Sequence, residues 1–259
     1  QVDTSTSLKS DIGAIRAAID AAGHPALLMC DCIACLGCDE FRMDEWGVDV
    51  MVAGCQKGLM TPPGMAFVFF SEAADAARDT ADCITHYWDW RPRTKPEEYY
   101  QYFDGTAPTH HLFGLREALN MIVHEEGLEA VYARHEALAR AVWAAFESWG
   151  QNGPVELNVA EEEHRSHAVT SVRIGAPHGT ELRDWLSTEA GVTLGIGLGM
   201  APPGEPAWHG FFRVGHMGHV NAHMVLGILG SIEAGLEALK IPFGSGGLSA
   251  AAGVLAARA

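Results

Sequence analysis

The 259 residues are 48% hydrophobic and 19% charged, and 33 Asp and Glu against 17 Lys and Arg give a formal net charge of −16. This is globular composition, enough for one large domain or two smaller ones, and without basic runs it excludes nucleic acid as a partner. No apolar stretch reaches bilayer length, no basic start leads into an apolar signal core, and six Cys in so long a chain do not make a disulfide framework, so no membrane partner and a reducing, cytoplasmic setting are expected.

In chain order, "DIGAIRAAIDAA" (11–22) has apolar residues at helical spacing and stops at Gly23-His24-Pro25. "ALLMCDCIA" (26–34), "GVDVMVAG" (47–54) and "MAFVFF" (65–70) are short apolar runs bounded by turn residues and read as buried strands. Strands alternating with helices predict an α/β sheet. "SEAADAARDT" resumes helical spacing, an aromatic, Pro-containing loop follows, and a long helical pattern broken near Gly127 runs on to Gly150. Shorter units come next: an extended "SHAVTSVRI", a helix "GTELRDWLSTEAG", the Gly-rich "VTLGIGLGMAPPGEP", "FFRVGHMGH", a last helix from Ala222, and a small-residue tail. A division is expected between 1–128, an α/β unit, and 129–259, a smaller α+β unit.

"MCDCIACLGCDE" (29–40) holds four cysteines. Cys32, Cys35 and Cys38 match the first three ligands of a ferredoxin run, but Arg42 and Met43 stand where its last Cys and Pro would be. No second CxxC exists to complete a zinc site, so no metal is expected and the thiols read as packing residues. If the run is a strand, Cys30 and Cys32 face one way and Asp31 the other. A carboxylate in a buried strand needs a charged partner. Lys57, just past the end of the next strand, is a candidate amine nucleophile. An Asp in one strand and a Lys at the exit of the next is the arrangement pyridoxal phosphate chemistry needs: the Asp keeps the pyridinium nitrogen protonated, and the Lys binds the cofactor covalently and later moves the α-proton.

"VDTSTSLKSDI", "DCIACLGCDEFRMDEWGVDVMVAGCQKGLMTPPG", "FDGTAPTHHLFGLREAL" and "FFRVGHMGH", in this order, resemble the class V aminotransferases, nearest the serine–glyoxylate and alanine–glyoxylate group. The resemblance implies a fold type I pyridoxal-phosphate-dependent transferase, with an incomplete large α/β domain of mainly parallel sheet and a smaller C-terminal α+β domain. It also implies that the chain, which opens on Gln1, is the C-terminal portion of a protein whose earlier part carries a phosphate-binding Ser/Gly loop. The implied cofactor is pyridoxal 5'-phosphate. Carried over by position, Thr4 bonds the cofactor near its ring oxygen, Asp31 pairs with the pyridinium nitrogen, and Ile33 packs on the ring. Gln56 contacts the phosphate, Lys57 joins the cofactor, Thr106 reaches the phosphate in the partner subunit, and Arg213 clamps the substrate carboxylate. A homodimer with shared sites is implied, moving an amino group from serine or alanine to a 2-oxo acid such as glyoxylate. Cys55 and Cys35 stand where the family commonly has Ser, and Phe103 where it commonly has Tyr. The rivals are a lyase or desulfurase of the same superfamily, and an incomplete, inactive chain that keeps the dimer surface. Desulfurases usually carry His before the Lys and a reactive Cys in a later loop, whereas here Gln56 precedes Lys57 and no Cys follows Cys83.

His216, His219 and His223 have ligand-like spacing but no further ligand, so they read as a turn, with His216 buttressing the site. "GIGLG" (195–199) lacks the helix and acidic partner of a dinucleotide loop and reads as close backbone packing. His110 and His111 read as cap or surface residues, and Trp88 and Trp90 as packing.

Overall fold

The structure, a computed structural model, describes residues 1–257. Seven strands form two sheets. The first contains β1 (Met29–Asp31), β2 (Val50–Gly54) and β3 (Ala66–Phe70) in the order β1-β2-β3. Strands β1 and β2 are parallel with Asp31 opposite Val52, whereas β2 and β3 are antiparallel with Gly54 opposite Ala66. The second sheet joins β4 (Glu156–Leu157), β5 (Val169–Arg173), β6 (Gly195–Ile196) and β7 (Phe211–Gly215), all antiparallel, in the order β4-β5-β7-β6.

The helices are α1 (Ile12–Ala21), α2 (Glu72–Ala77), the short α3 (Arg91–Thr94), α4 (Thr109–Leu119), α5 (Leu128–Gly150), α6 (His178–Glu189), α7 (Ala222–Ala238) and α8 (Gly247–Ala256). Caps set several of their starts: the carboxylate of Asp11 accepts the N–H of Ala14, and the hydroxyl of Ser71 that of Ala74. A π-helical turn (Asn120–Glu126) separates α4 from α5, and Gly127, at φ +86°, begins the new helix. No described helix is long and apolar enough to cross a membrane.

Strand β2 is buried on both faces, as its apolar run predicts. The other two runs differ from expectation. In β1, Met29 and Asp31 are exposed and only Cys30 is buried. The strand ends at Asp31 because the N–H groups of Cys35 and Leu36 both turn back to the carbonyl of Cys32 (3.2 and 2.9 Å). Strand β3 is an edge strand with exposed Ala66, Val68 and Phe69; half-buried Phe67 packs on the core, and half-buried Phe70 stacks on Trp90 at 4.4 Å. Trp90 packs within the chain on Phe70, whereas Trp88 is exposed.

The larger core lies under the second sheet. Leu138, Val142, Phe146 and Trp149 of α5 meet Val172, Phe212 and Val214 from the strands, then Leu182, Leu186, Leu229, Ile232 and Leu236 from α6 and α7. Each such side chain contributes about 1.5–3 kcal/mol by burial, and Phe212→Ala would cost about 3–5 kcal/mol. The tail, expected only as small residues, forms α8 against α5. Its small side chains permit close approach: a Cβ on Gly247 would lie 2.2 Å from Nε1 of Trp149. A second core joins Val2, Ile12 and Leu28 to Cys30, Cys32, Cys35 and Cys38, and it includes Ala168 and Val169 next to and within β5. The cysteines thus pack where the two sheets meet.

Candidate active site

Strand β1 delivers Asp31 to the face opposite its buried neighbours Cys30 and Cys32, as the alternation predicts. The carboxylate is exposed rather than buried. Its Oδ1 accepts the N–H of Ile33 at 2.8 Å, which aims the carboxylate and leaves Ile33 partly exposed beside it.

Lys57 stands three residues beyond β2 in a turn closed by hydrogen bonds from the N–H of Met60 to the Lys57 carbonyl and from that of Thr61 to the Cys55 carbonyl (both 3.0 Å). The buried Cys55 thiol donates to the Pro62 carbonyl (3.0 Å) and accepts the N–H of Met65 (3.4 Å), so sulfur makes the loop-closing bonds a Ser hydroxyl could make there. Gln56, exposed, folds its amide back over Gly54. Gly58 admits no side chain: a Cβ would lie 2.2 Å from the Leu36 carbonyl oxygen and 2.9 Å from the sulfur of Cys38. The Lys57 loop therefore lies directly on the loop that follows Asp31. Lys57 itself is half-buried and has no ion-pair or hydrogen-bond partner for its ammonium among the described residues.

Arg213 emerges from β7 between buried Phe212 and Val214. Its Nε donates to the Ile196 carbonyl (2.8 Å) and its Nη1 to the Thr4 carbonyl (2.9 Å). Burial pulls its pKa down and nearby Asp3 opposes the shift, so it stays a cation. Burial acts to raise the pKa of Asp3, but bonds from the N–H of Ser5 (3.0 Å) and the hydroxyl of Thr6 (2.8 Å) outweigh it and hold the carboxyl low. Thr4, Asp31, Gln56, Lys57 and Arg213 thus stand on strand ends and loops whose segments touch. Thr106 does not join them: it is exposed, in the bend ahead of α4.

Two buried histidines support this frame. His216, which follows β7, donates from Nδ1 to the His167 carbonyl (2.9 Å), so its Nε2 accepts the hydroxyl of Thr170 (2.8 Å), which in turn accepts Nε1–H of Trp143 (3.0 Å). Full burial pushes its pKa down to about 3, so it is neutral. His135 on α5 donates from Nδ1 to the Val131 carbonyl (2.8 Å) and accepts the N–H of Gly218 at Nε2 (3.0 Å). Arg134 beside it donates to the carbonyls of Gly218 (2.9 Å) and Val220 (3.1 Å) and pairs with Glu126. Sequence reasoning missed His135 and Arg134. The available signal was helical phase, since His135 shares a stripe with Val131, Leu138 and Val142, where a polar residue must find a partner.

His219 and His223 are exposed, away from buried His216. Burial pushes the Cys38 thiol up to about 12, and the hydrogen bond with Cys32, followed by burial, raises that of Cys35, so both remain protonated. Among the described residues no group of three or more His, Cys, Asp or Glu is placed to hold a metal ion. In the Gly-rich stretch, Gly195 pairs with Arg213 in the sheet, and a Cβ on Gly197 would lie 2.5 Å from that of Phe211; this is close backbone packing, with no helix following. His111, at the start of α4, bonds the Pro63 carbonyl through Nε2 (3.0 Å).

The chain is similar to known proteins along nearly its whole length. Residues 4–221 match the sequence model of the family "Aminotransferase class-V". Serine–glyoxylate aminotransferase of Arabidopsis thaliana is 37% identical over 250 residues, 94% of this chain and 59% of that protein. L-aspartate–glyoxylate aminotransferase of Paracoccus denitrificans is 37% identical over 96% of this chain and 60% of its own length. The chain therefore spans about three-fifths of the relatives it matches. Among solved structures, ureidoglycine–glyoxylate aminotransferase from Bacillus subtilis superposes with a TM-score of 0.80 at 28% identity, covering 98% of this chain and 63% of that one. The fold is that of the type I pyridoxal-phosphate-dependent transferases. Matched by the family's model over residues 4–221 and 37% identical to a curated member over 94% of its length, the chain belongs to the class V aminotransferase family.

Proposed function

We propose that this chain is the C-terminal portion of an aminotransferase that moves an amino group from a small amino acid, serine or alanine, to a 2-oxo acid such as glyoxylate. One observation carries the reading. The Lys57 loop lies through Gly58 on the loop after Asp31, and the Lys57 carbonyl faces Gly218, in the turn that follows the Arg213 strand. An amine, a carboxylate and a guanidinium, the three charges this reaction needs, are thereby set on contacting segments.

The residues fit pyridoxal 5'-phosphate, the cofactor of the family. Lys57 offers an amine with no partner among the described residues. Asp31 offers an acceptor oriented by Ile33 and positioned for a protonated ring nitrogen, and Ile33 an apolar surface for the ring. When bound, the cofactor supplies an electron sink for the α-carbon. Lys57 would hold the cofactor and carry the proton from the α-carbon, Asp31 would keep the ring nitrogen charged, and Arg213 would grip the substrate carboxylate. Thr4 and Gln56 would bond the cofactor and its phosphate, and Thr106 the phosphate of the partner's site in a homodimer. Division into a partial large domain (1–128) and a small domain (129–259), and a cytoplasmic location, belong to the same reading. Gln56 before Lys57, with Cys83 the last cysteine, disfavours a desulfurase.

Borohydride reduction of the cofactor-loaded protein tests the reading. The pyridoxyl group should be found on Lys57, and its recovery on Lys9, Lys95 or Lys240 would reject the assignment. A panel of serine, alanine and aspartate against glyoxylate and pyruvate then fixes the donor and acceptor, and no amino transfer by labelled-competent protein would return the choice to the inactive-chain rival.

A further inference from the structure

His135 has no part in the chemistry above, yet it is completely buried and both ring nitrogens are engaged. Its bond to Val131 closes one turn of α5 and puts the proton on Nδ1, so Nε2 is a bare acceptor. Burial lowers its pKa, which keeps that lone pair free. The acceptor is used by one main-chain N–H, that of Gly218. The carbonyl of the same Gly218 is held by Arg134, so consecutive residues of α5 grip both polar groups of one peptide residue. Gly218 has φ +84°, and a Cβ there would lie 3.4 Å from both the Lys57 carbonyl oxygen and Cγ of Met60. The turn therefore rests on the Lys57 backbone, five residues after Arg213.

Resting on the functional reading above, we propose that His135 is a positioning residue that holds the Lys57 loop in register with the Arg213 strand, acting through the main chain of Gly218. A substrate held by its amine at one end and its carboxylate at the other depends on that register. An amine without a carboxylate does not. A leucine would fill this core site as well, so the imidazole is explained by the N–H it receives.

The experiment compares H135L, which keeps volume but removes the acceptor, with H135Q, whose amide oxygen can reach the same N–H. Conversion of the bound cofactor by serine and ethanolamine, and by alanine and ethylamine, separates donors with a carboxylate from donors without one. In H135L the rate constant kcat/KM for each amino acid should fall about tenfold, the scale of one unpaired buried donor, while the simple amines change less than about twofold. H135Q should recover the amino acid rate to within about threefold. Hydrogen exchange of residues 55–60 and 216–220 should be faster in H135L than in H135Q. If H135L does not fold, H135N, whose oxygen falls short of the N–H, takes its place. Equal losses for amino acids and simple amines, or indistinguishable H135L and H135Q, would overturn the proposal. Should the wild-type protein carry no cofactor on Lys57, the functional reading fails, and the exchange comparison alone still decides whether His135 holds the Lys57 loop.

Discussion

Nη1 of Arg213 donates to the main-chain oxygen of Thr4 at 2.9 Å, although 209 positions separate the two residues. With Nε given to Ile196, the guanidinium is fixed in plane by two carbonyls, neither of which neutralises it. An oriented, unneutralised fork is what a carboxylate ligand requires. Arg213→Lys keeps the charge and loses the fork. Michaelis constants for amino acid and oxo acid should both rise by about tenfold to a hundredfold, the equivalent of about 1.5–3 kcal/mol, while Lys57 is still labelled by borohydride. Unchanged constants would make Arg213 a structural residue.

Asp31→Asn should cut transamination by about a hundredfold or more, since the amide cannot hold a proton on the ring nitrogen. The carboxylate is exposed and its Ile33 bond can be kept by the amide oxygen, so the melting temperature should move little. Steady-state rates and a thermal scan check this; near-normal turnover would remove Asp31 from the site.

Stability should fall on acidification because of His216. Its folded pKa, about 3, lies below the unfolded value of about 6.5, so between these limits the unfolded chain binds the extra proton. The stabilisation is complete above pH ~6.5 and is lost as pH falls toward 3, at up to about 1.4 kcal/mol per pH unit. Burial lowers the pKa of His135 too, in the same direction. Urea midpoints at a series of pH values should show this slope, and His216→Gln should flatten it.

Thiol reagents should find Cys83 in the native protein and the other cysteines only after unfolding, since Cys30, Cys32, Cys35, Cys38 and Cys55 are all buried. Elemental analysis of the purified protein should show no stoichiometric zinc or iron, and chelators should leave its melting temperature unchanged. One zinc or an iron–sulfur cluster per chain would reverse the packing assignment.

Much of this was legible in the sequence where a local rule suffices. The first helix and its stop at Gly23, the break at Gly127, the buried β2 and the opposite facing of Cys30 and Asp31 follow from propensity and period. The exposure of β1 and β3 was not legible, because an apolar run records what a strand can bury and says nothing of whether a neighbour is present to bury it. Helix α8 was missed for a related reason: Ala and Gly carry a weak periodic signal, and its fit to Trp149 depends on what its residues lack. Within the site, Asp31 and Lys57 were visible as anomalies among apolar strands. The Gly218 contacts were invisible, because main-chain groups have no signature in composition.

At Gly58 the Lys57 loop and the cysteine loop meet closely: the nearest atoms to a hypothetical Cβ are the Leu36 oxygen and the Cys38 sulfur, and Gly37 faces Gly58 in return. Side chains elsewhere can change rotamer to absorb a displacement; two abutting backbones cannot. A shift in residues 35–38, whether from mutation or from oxidation of a buried thiol, should be passed on to the Lys57 turn. The cysteine loop and the Lys57 turn are therefore coupled through their main chains, and a change in the first should be felt in the second.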